Sequence, residues 1–122
     1  MNSFMLATFN LLCAHYIADF IFQSQQMAEN KSKSKEWLTK HVAVYTVVLA
    51  FASFPLLFVI TLANFIKFII INGCLHWAVD FVTSKMTAKR WKEARYHDMF
   101  VVIGADQLIH MCTLLTTFYL FA

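Results

Sequence analysis

Polar positions interrupt this 122-residue chain in only a few places. Ser3 to Gln23 is mostly apolar, and "SQQMAENKSKSKEW" then breaks the run. A second apolar region extends from Trp37 to Ser84, about 48 residues. Crossing a bilayer takes roughly 20 residues, so that length predicts a helical hairpin. Its turn lies between Ser53 and Asn64, where Pro55 and Asn64 are the two breakers. A turn at Pro55 leaves Lys67 deep in the following helix; a turn at Asn64 lets Lys67 snorkel to the far surface. "KMTAKRWKEARYHD" reads as a second polar loop, with Asp98 as N-cap of a last helix that runs to the C-terminus. The predicted helices cover about 3–23, 37–54 or 37–63, 56–85 or 65–85, and 98–122. The fold class is all-α: a polytopic bundle of four transmembrane helices, forming a single integral membrane domain over 1–122.

Composition supports a membrane setting. The chain is 60% hydrophobic and 14% charged, against roughly 45–50% and 25% in soluble domains. So small a chain cannot wrap that much apolar surface around a soluble core. Cys13, Cys74 and Cys112 all fall in apolar runs, which argues against a disulfide framework and for small packing residues. The first apolar run has no basic flank and contains His15 and Asp19, so it reads as a retained helix and not a signal peptide.

Charge then predicts topology. Lys31, Lys33, Lys35 and Lys40 flank the first loop, and Lys85, Lys89, Arg90, Lys92 and Arg95 lie in the second; Lys67 alone is elsewhere. With four spans both loops share one side, and the positive-inside rule makes it cytoplasmic. Both termini and the central turn are then external, in a bacterial inner membrane. Membrane lipids are the expected partners, with Lys89, Arg90 and Arg95 as contacts for anionic head groups, and a homo-oligomer is compatible. No nucleic-acid motif, Gly-rich phosphate loop, CxxC pair or GxSxG elbow is present.

The exceptions inside the apolar runs carry the chemistry. "HYIADFIFQ", "HWAVD" and "DQLIH" set His15/Asp19, His76/Asp80 and Asp106/His110 at i,i+4 spacing, each pair on one helix face. His41/Tyr45 repeats the spacing on the second helix, and Asn72 extends the third face. Counted from the loop side, these residues lie about 6–18 Å deep on all four helices. Each cysteine is two residues from a histidine and so points away from these faces. An Asp near the middle of a span costs about 2.5–3.5 kcal/mol, so three cost roughly 8–10 kcal/mol. Helical pairs return only about 0.2–0.5 kcal/mol each. The set must be compensated across the bundle or by a cation. An interhelical hydrogen-bond network that specifies packing is the structural alternative, and such networks rarely need three carboxylates.

Imidazole with carboxylate suits divalent Zn, Mn or Fe, and helix bundles build one- or two-ion sites from such inward residues. The candidate metal ligands are His15, Asp19, His41, His76, Asp80, Asp106 and His110. The candidate catalytic residues are Asp19, Asp80, Asp106, Lys85 and Gln23, with Gln107 and Tyr45 as supporting or substrate contacts. His97 reads as an interfacial residue outside the site, and Trp37, Trp77, Trp91 and Tyr96 as interfacial anchors or packing.

Taken in order, "HYIADFIFQSQQMAENKSK", "KHVAVY", "HWAVDFVTSK" and "DQLIH" resemble the small bacterial and phage membrane proteins of the domain-of-unknown-function family numbered 3307. The resemblance covers nearly the whole chain and implies motif positions at His15, Asp19, Gln23, His41, His76, Asp80, Lys85, Asp106, Gln107 and His110. It brings no activity with it. More distantly, His and Asp on membrane helices are similar to inner-membrane metal-dependent hydrolases of the YdjM type.

Three functions compete. A metal-dependent hydrolase acting on a lipid or phosphoester near the cytoplasmic face leads, because a bound ion lowers the pKa of water to about 7. Metal-ion or proton transport needs an oligomer and a polar path to the outer side, where only Thr61, Asn64, Lys67 and a few Thr and Asn residues stand. A non-catalytic membrane effector or partner-binding protein, possibly encoded by a phage, has no use for the buried cluster.

Overall fold

The computed structural model describes residues 2–122, and among them it is helical throughout, with no strand. Helix α1 runs Ser3–Tyr16, capped by the Asn2 side chain on the Met5 amide, and passes directly into a π-helical turn over Ile17–Ile21. A short α2 spans Gln25–Asn30, and α3 spans Lys35–Ala52. A 3-10 turn over Phe54–Phe58 leads to α4, Leu62–Lys92, and α5 covers Tyr96–Phe121. Ser24, Ser34 and Thr61 each accept a hydrogen bond from a first-turn amide, which starts α2, α3 and α4 where side-chain oxygens satisfy unpaired N–H groups.

Several boundaries differ from the sequence expectation. The first polar loop contains α2. The hairpin turn uses the whole stretch between Ser53 and Thr61: Pro55 opens the 3-10 turn, where its fixed φ and missing N–H are tolerated, and Asn64 already lies in α4. Lys67 is therefore near the start of α4, and it is exposed. Most of the expected second loop is helix, because "KMTAKRWK" is built of good helix formers without Gly or Pro. The connection to α5 closes tightly at Ala94, whose φ of 55° is left-handed. The Arg95 amide bonds to the Arg90 carbonyl at 2.9 Å and the Ala94 amide to that of Trp91 at 3.0 Å, a Schellman ending with alanine where glycine is usual. Asp98 sits inside the first turn of α5 rather than capping it.

Three helices are long and apolar enough to cross a membrane: Ser3–Ile21, Leu62–Lys92 and Tyr96–Phe121. The 18-residue α3 opens with Lys35, Glu36 and Lys40 and is not among them. Much of the exterior is large and apolar, including Phe9, Phe51, Phe58, Ile70, Phe100 and Leu108. A soluble monomer rarely exposes so much apolar surface, whereas lipid accepts it at no cost. The cysteines share this outer surface and are exposed, so they are not the packing residues expected of them.

Helices α4 and α5 pack along their lengths, and α3 packs on α4 and on the π turn. Gly73 permits the α3–α4 approach, since a Cβ there would lie 2.7 Å from Thr46 Oγ1. Leu11, Leu49, Leu56, Phe68, Leu114 and Phe118 form an apolar core at the end of the bundle away from the basic loops. The ionisable residues, Lys67 apart, lie toward the other end.

Candidate metal centre

Each helix delivers its polar residues through the periodicity of the chain. His76 and Asp80 lie one turn apart on the buried face of α4, and Asp106 and His110 do the same on α5. His41 and Tyr45 face inward from α3. On the first helix, Asp19 falls within the π turn, where the ladder shifts to an i,i+5 bond from the Phe22 amide to the Ile17 carbonyl. Such bulges recur at functional sites because they re-aim one side chain without ending the helix. His15, His41, His76 and His110, with Asp19 and Asp80, are at most 3% exposed.

A quartet stands at the centre. His41 Nε2 lies 3.1 Å from Asp19 Oδ1 and 3.3 Å from Asp80 Oδ2. His76 Nε2 lies 3.3 Å from Asp19 Oδ1 and 3.6 Å from Asp80 Oδ2. The two Nε2 atoms are 3.2 Å apart. A tetrahedral ion with N and O ligands at about 2.0–2.2 Å has ligand–ligand edges of roughly 3.3–3.6 Å. These five edges bracket that range. Asp19 Oδ1 accepts no well-angled hydrogen bond although two ring nitrogens are close to it. His41 Nε2 and His76 Nε2 are hydrogen-bonded to each other instead, which leaves Asp19 Oδ1 buried and open to a further partner. The donor set fits a divalent cation.

A second group, Asp19, Asp106 and His110, also brings its ligand atoms within 4.8 Å of one another. His110 Nε2 is 3.2 Å from Asp106 Oδ1 and 3.1 Å from Asp80 Oδ1. Asp19 thus belongs to both groups, and Asp80 joins them through its second oxygen. His76 stacks between Tyr45 and His110 at centroid distances of 3.8 and 4.0 Å, which fixes its ring plane.

His15 takes a different role. Gln107 Nε2 donates to Asp19 Oδ2 at 2.9 Å and to Asp106 Oδ2 at 3.1 Å. Its Oε1 must then accept from His15 Nε2, 2.9 Å away, which leaves His15 Nδ1 to accept from the Tyr45 hydroxyl at 3.1 Å. Both nitrogens are committed to neutral partners. His15 orients Gln107, and Gln107 holds two carboxylates.

Among the other expected residues, Gln23 lines the same cavity as the three aspartates. Lys85 does not: its Nζ sits 3.5 Å over the Phe81 ring on an exposed face of α4. His97 is exposed and outside the cluster. Asn72 packs farther along the bundle, donating to Thr117 Oγ1 at 2.7 Å. Two contacts were not anticipated. Lys31 Nζ reaches Asp80 Oδ2 at 2.8 Å, and the Thr83 hydroxyl donates to Asp106 Oδ1. Thr83 is three residues beyond Asp80, so helical spacing could have found it; Lys31 lies in an irregular loop and left no periodic signal.

The chain belongs to the DUF3307 family. The model of that family, described as a protein of unknown function, matches residues 7–122 and so takes in every histidine and aspartate of the cluster. No curated protein and no solved structure matches the chain. For this DUF3307 member the chemistry has to be read from the site itself. The aspartates floor a cavity of about 550 Å³ whose rim carries Lys31, Lys33 and Lys92.

Proposed function

We propose that this protein is a metal-dependent hydrolase of the bacterial inner membrane, acting on a lipid or phosphoester. In this reading α3 is a fourth span, the basic loops are cytoplasmic and both termini are external. The nine basic residues flanking the two loops support that orientation. The observation that carries the function is the quartet of His41, His76, Asp19 and Asp80, with edges of tetrahedral length, beneath a cavity open toward the basic end.

A divalent ion held there would supply an activated water and polarise a phosphoryl or acyl oxygen. His41 and His76 present neutral nitrogen ligands, while Asp19 and Asp80 offset the positive charge. Asp106, with one oxygen toward His110, is the candidate second ligand set or base. Gln107 keeps the Asp19 and Asp106 carboxylates oriented. Gln23 is the candidate polar contact to the substrate, and Lys31 takes the cationic part that sequence reasoning gave to Lys85. Transport is disfavoured by the far end of the bundle, where Leu11, Leu49, Phe68 and Phe118 are fully buried and leave no ionisable path.

The test is hydrolysis by detergent-purified, metal-loaded protein offered phospholipids and lipid phosphates of several head-group classes. Product release that chelation abolishes and metal restores is expected. Protein that holds metal yet releases no product from any of them would contradict the reading.

A further inference from the structure

The cavity has an asymmetric wall. At the end of the bundle away from the basic loops, α1 and α5 touch: Thr8 Oγ1 and the Tyr119 hydroxyl are 2.8 Å apart, and Phe4 stacks on Tyr119 with centroids 6.0 Å apart. Toward the basic loops they diverge. The backbones of the π turn and α2 stay clear of that of α5. Side chains cross the gap: Gln107 bonds to His15 and Asp19, and Asp106 and His110 bring ligand atoms within 4.8 Å of that of Asp19. The result is a V-shaped cleft, wide at the metal-ligand end.

The lining of the cleft changes with direction. Asp19, Asp80 and Asp106 form its floor, and Lys31, Lys33 and Lys92 stand at its rim toward the loops. Phe20 on one side and Met99 and Ile103 on the other form its mouth. Phe20 lies within Ser3–Ile21 and Ile103 within Tyr96–Phe121, both apolar enough to cross a membrane. A gap between two such segments faces acyl chains and not water.

From this we infer that the cleft between the π turn and α5 is a lateral portal for an anionic lipid with a phosphate-bearing head group. The lysine rim holds the phosphate, the head group descends to the aspartate floor, and the acyl chains remain in the bilayer between Phe20 and Ile103. This deepens the hydrolase reading and rests on it for what happens after binding. The class of ligand follows from complementarity: Lys33 and Lys92, with Lys31 shared between the phosphate and Asp80, outweigh Glu29 on the rim, and an apolar mouth requires tails. A soluble phosphoester would need no opening between spans.

Trp91 also lines the cavity and reports on it. In a Trp37→Phe, Trp77→Phe background, full-length protein in detergent would be titrated with dioleoyl phosphatidic acid carrying brominated chains, which quench tryptophan. Saturable quenching is expected, with inorganic phosphate competing weakly. Lys31→Gln with Lys33→Gln should weaken binding by about tenfold or more, while Lys40→Gln with Lys67→Gln, an equal charge change at two exposed lysines outside the cavity lining, should change it by less than about threefold. Circular dichroism of both double variants establishes that they fold. Quenching that never saturates, equal effects of the two double variants, or full displacement by inorganic phosphate would overturn the portal. Metal content measured on the same samples separates the claims: metal without lipid binding defeats the portal and leaves the hydrolase standing, and lipid binding without metal does the reverse.

Discussion

At the apolar end of the bundle, polar side chains act singly and stay neutral. Asn10 donates to the Ala52 carbonyl at 3.1 Å, Asn64 to the Phe121 carbonyl at 3.0 Å, and Asn72 to Thr117. Each ties one helix to another around Leu49, Phe68 and Phe118. At the basic end the pattern is different. Asp19 is within 3.1–3.3 Å of two histidines and also accepts from Gln107, and Asp80 meets Lys31 and three histidines. One neutral bond is enough to pin a helix. Carboxylates crowded by several nitrogens cost far more to bury than packing requires. The comparison teaches that helix association is secured at one end of the molecule and chemistry at the other.

The hardest test of that division is Phe68→Ala, at the centre of the apolar end. Loss of about 3–5 kcal/mol is expected in denaturant unfolding in detergent, with metal binding unchanged in whatever protein remains folded. If metal affinity fell in step, the two ends would be one cooperative unit.

Asp80→Asn makes the opposite cut. Metal affinity should fall by about tenfold to hundredfold or more, while the fold survives because Asn is cheaper to bury than Asp. Full metal occupancy in this variant would remove Asp80 from the ligand set. Unfolding would return the cluster to a purely structural role.

Gly73 and Thr46 sit on the seam between the ends. In Gly73→Ala the new Cβ meets a β-branched Thr46 whose hydroxyl is already bonded to the Val42 carbonyl at 2.7 Å. A loss of about 1–3 kcal/mol is expected, together with weaker metal binding as α3 and α4 part and His41 moves off His76. Adding Thr46→Ala should restore both. Rescue of stability without rescue of metal affinity would break the link between the seam and the quartet.

The smallest effect belongs to Tyr45, which touches both regions. Tyr45→Phe leaves its ring in the core and removes the donor to His15 Nδ1. About 1 kcal/mol of stability should be lost with metal content intact. Loss of metal here would promote the Tyr45–His15–Gln107 chain from orienting carboxylates to deciding occupancy.

How much of this was readable in the chain depends on periodicity. The i,i+4 pairs and their common depth place His41, His76, Asp80, Asp106 and His110 on faces that the structure brings together, because helical rise and rotation are uniform enough to carry a face over several turns. Spacing puts His15 on the same face but cannot tell that its two nitrogens bond to Tyr45 and Gln107. Asp19 was found, but its π turn was not, since no residue type marks a π bulge. Lys31 and the mouth at Phe20 and Ile103 depend on how an irregular loop and two diverging helices sit in space. The loop before α5 differs for a simpler reason: polarity does not exclude helix, and "KMTAKRWK" carries α4 beyond the apolar stretch.

The central claim is that His41, His76, Asp19 and Asp80 share one ion. X-ray absorption at the edge of the bound metal, on protein purified without chelator, tests it most directly. Four N/O ligands at about 2.0–2.2 Å are expected, with the outer scattering of two imidazoles and no sulfur. That imidazole signal should drop by half in His76→Ala. A protein that carries no metal, or whose metal lacks imidazole scattering, would contradict the account.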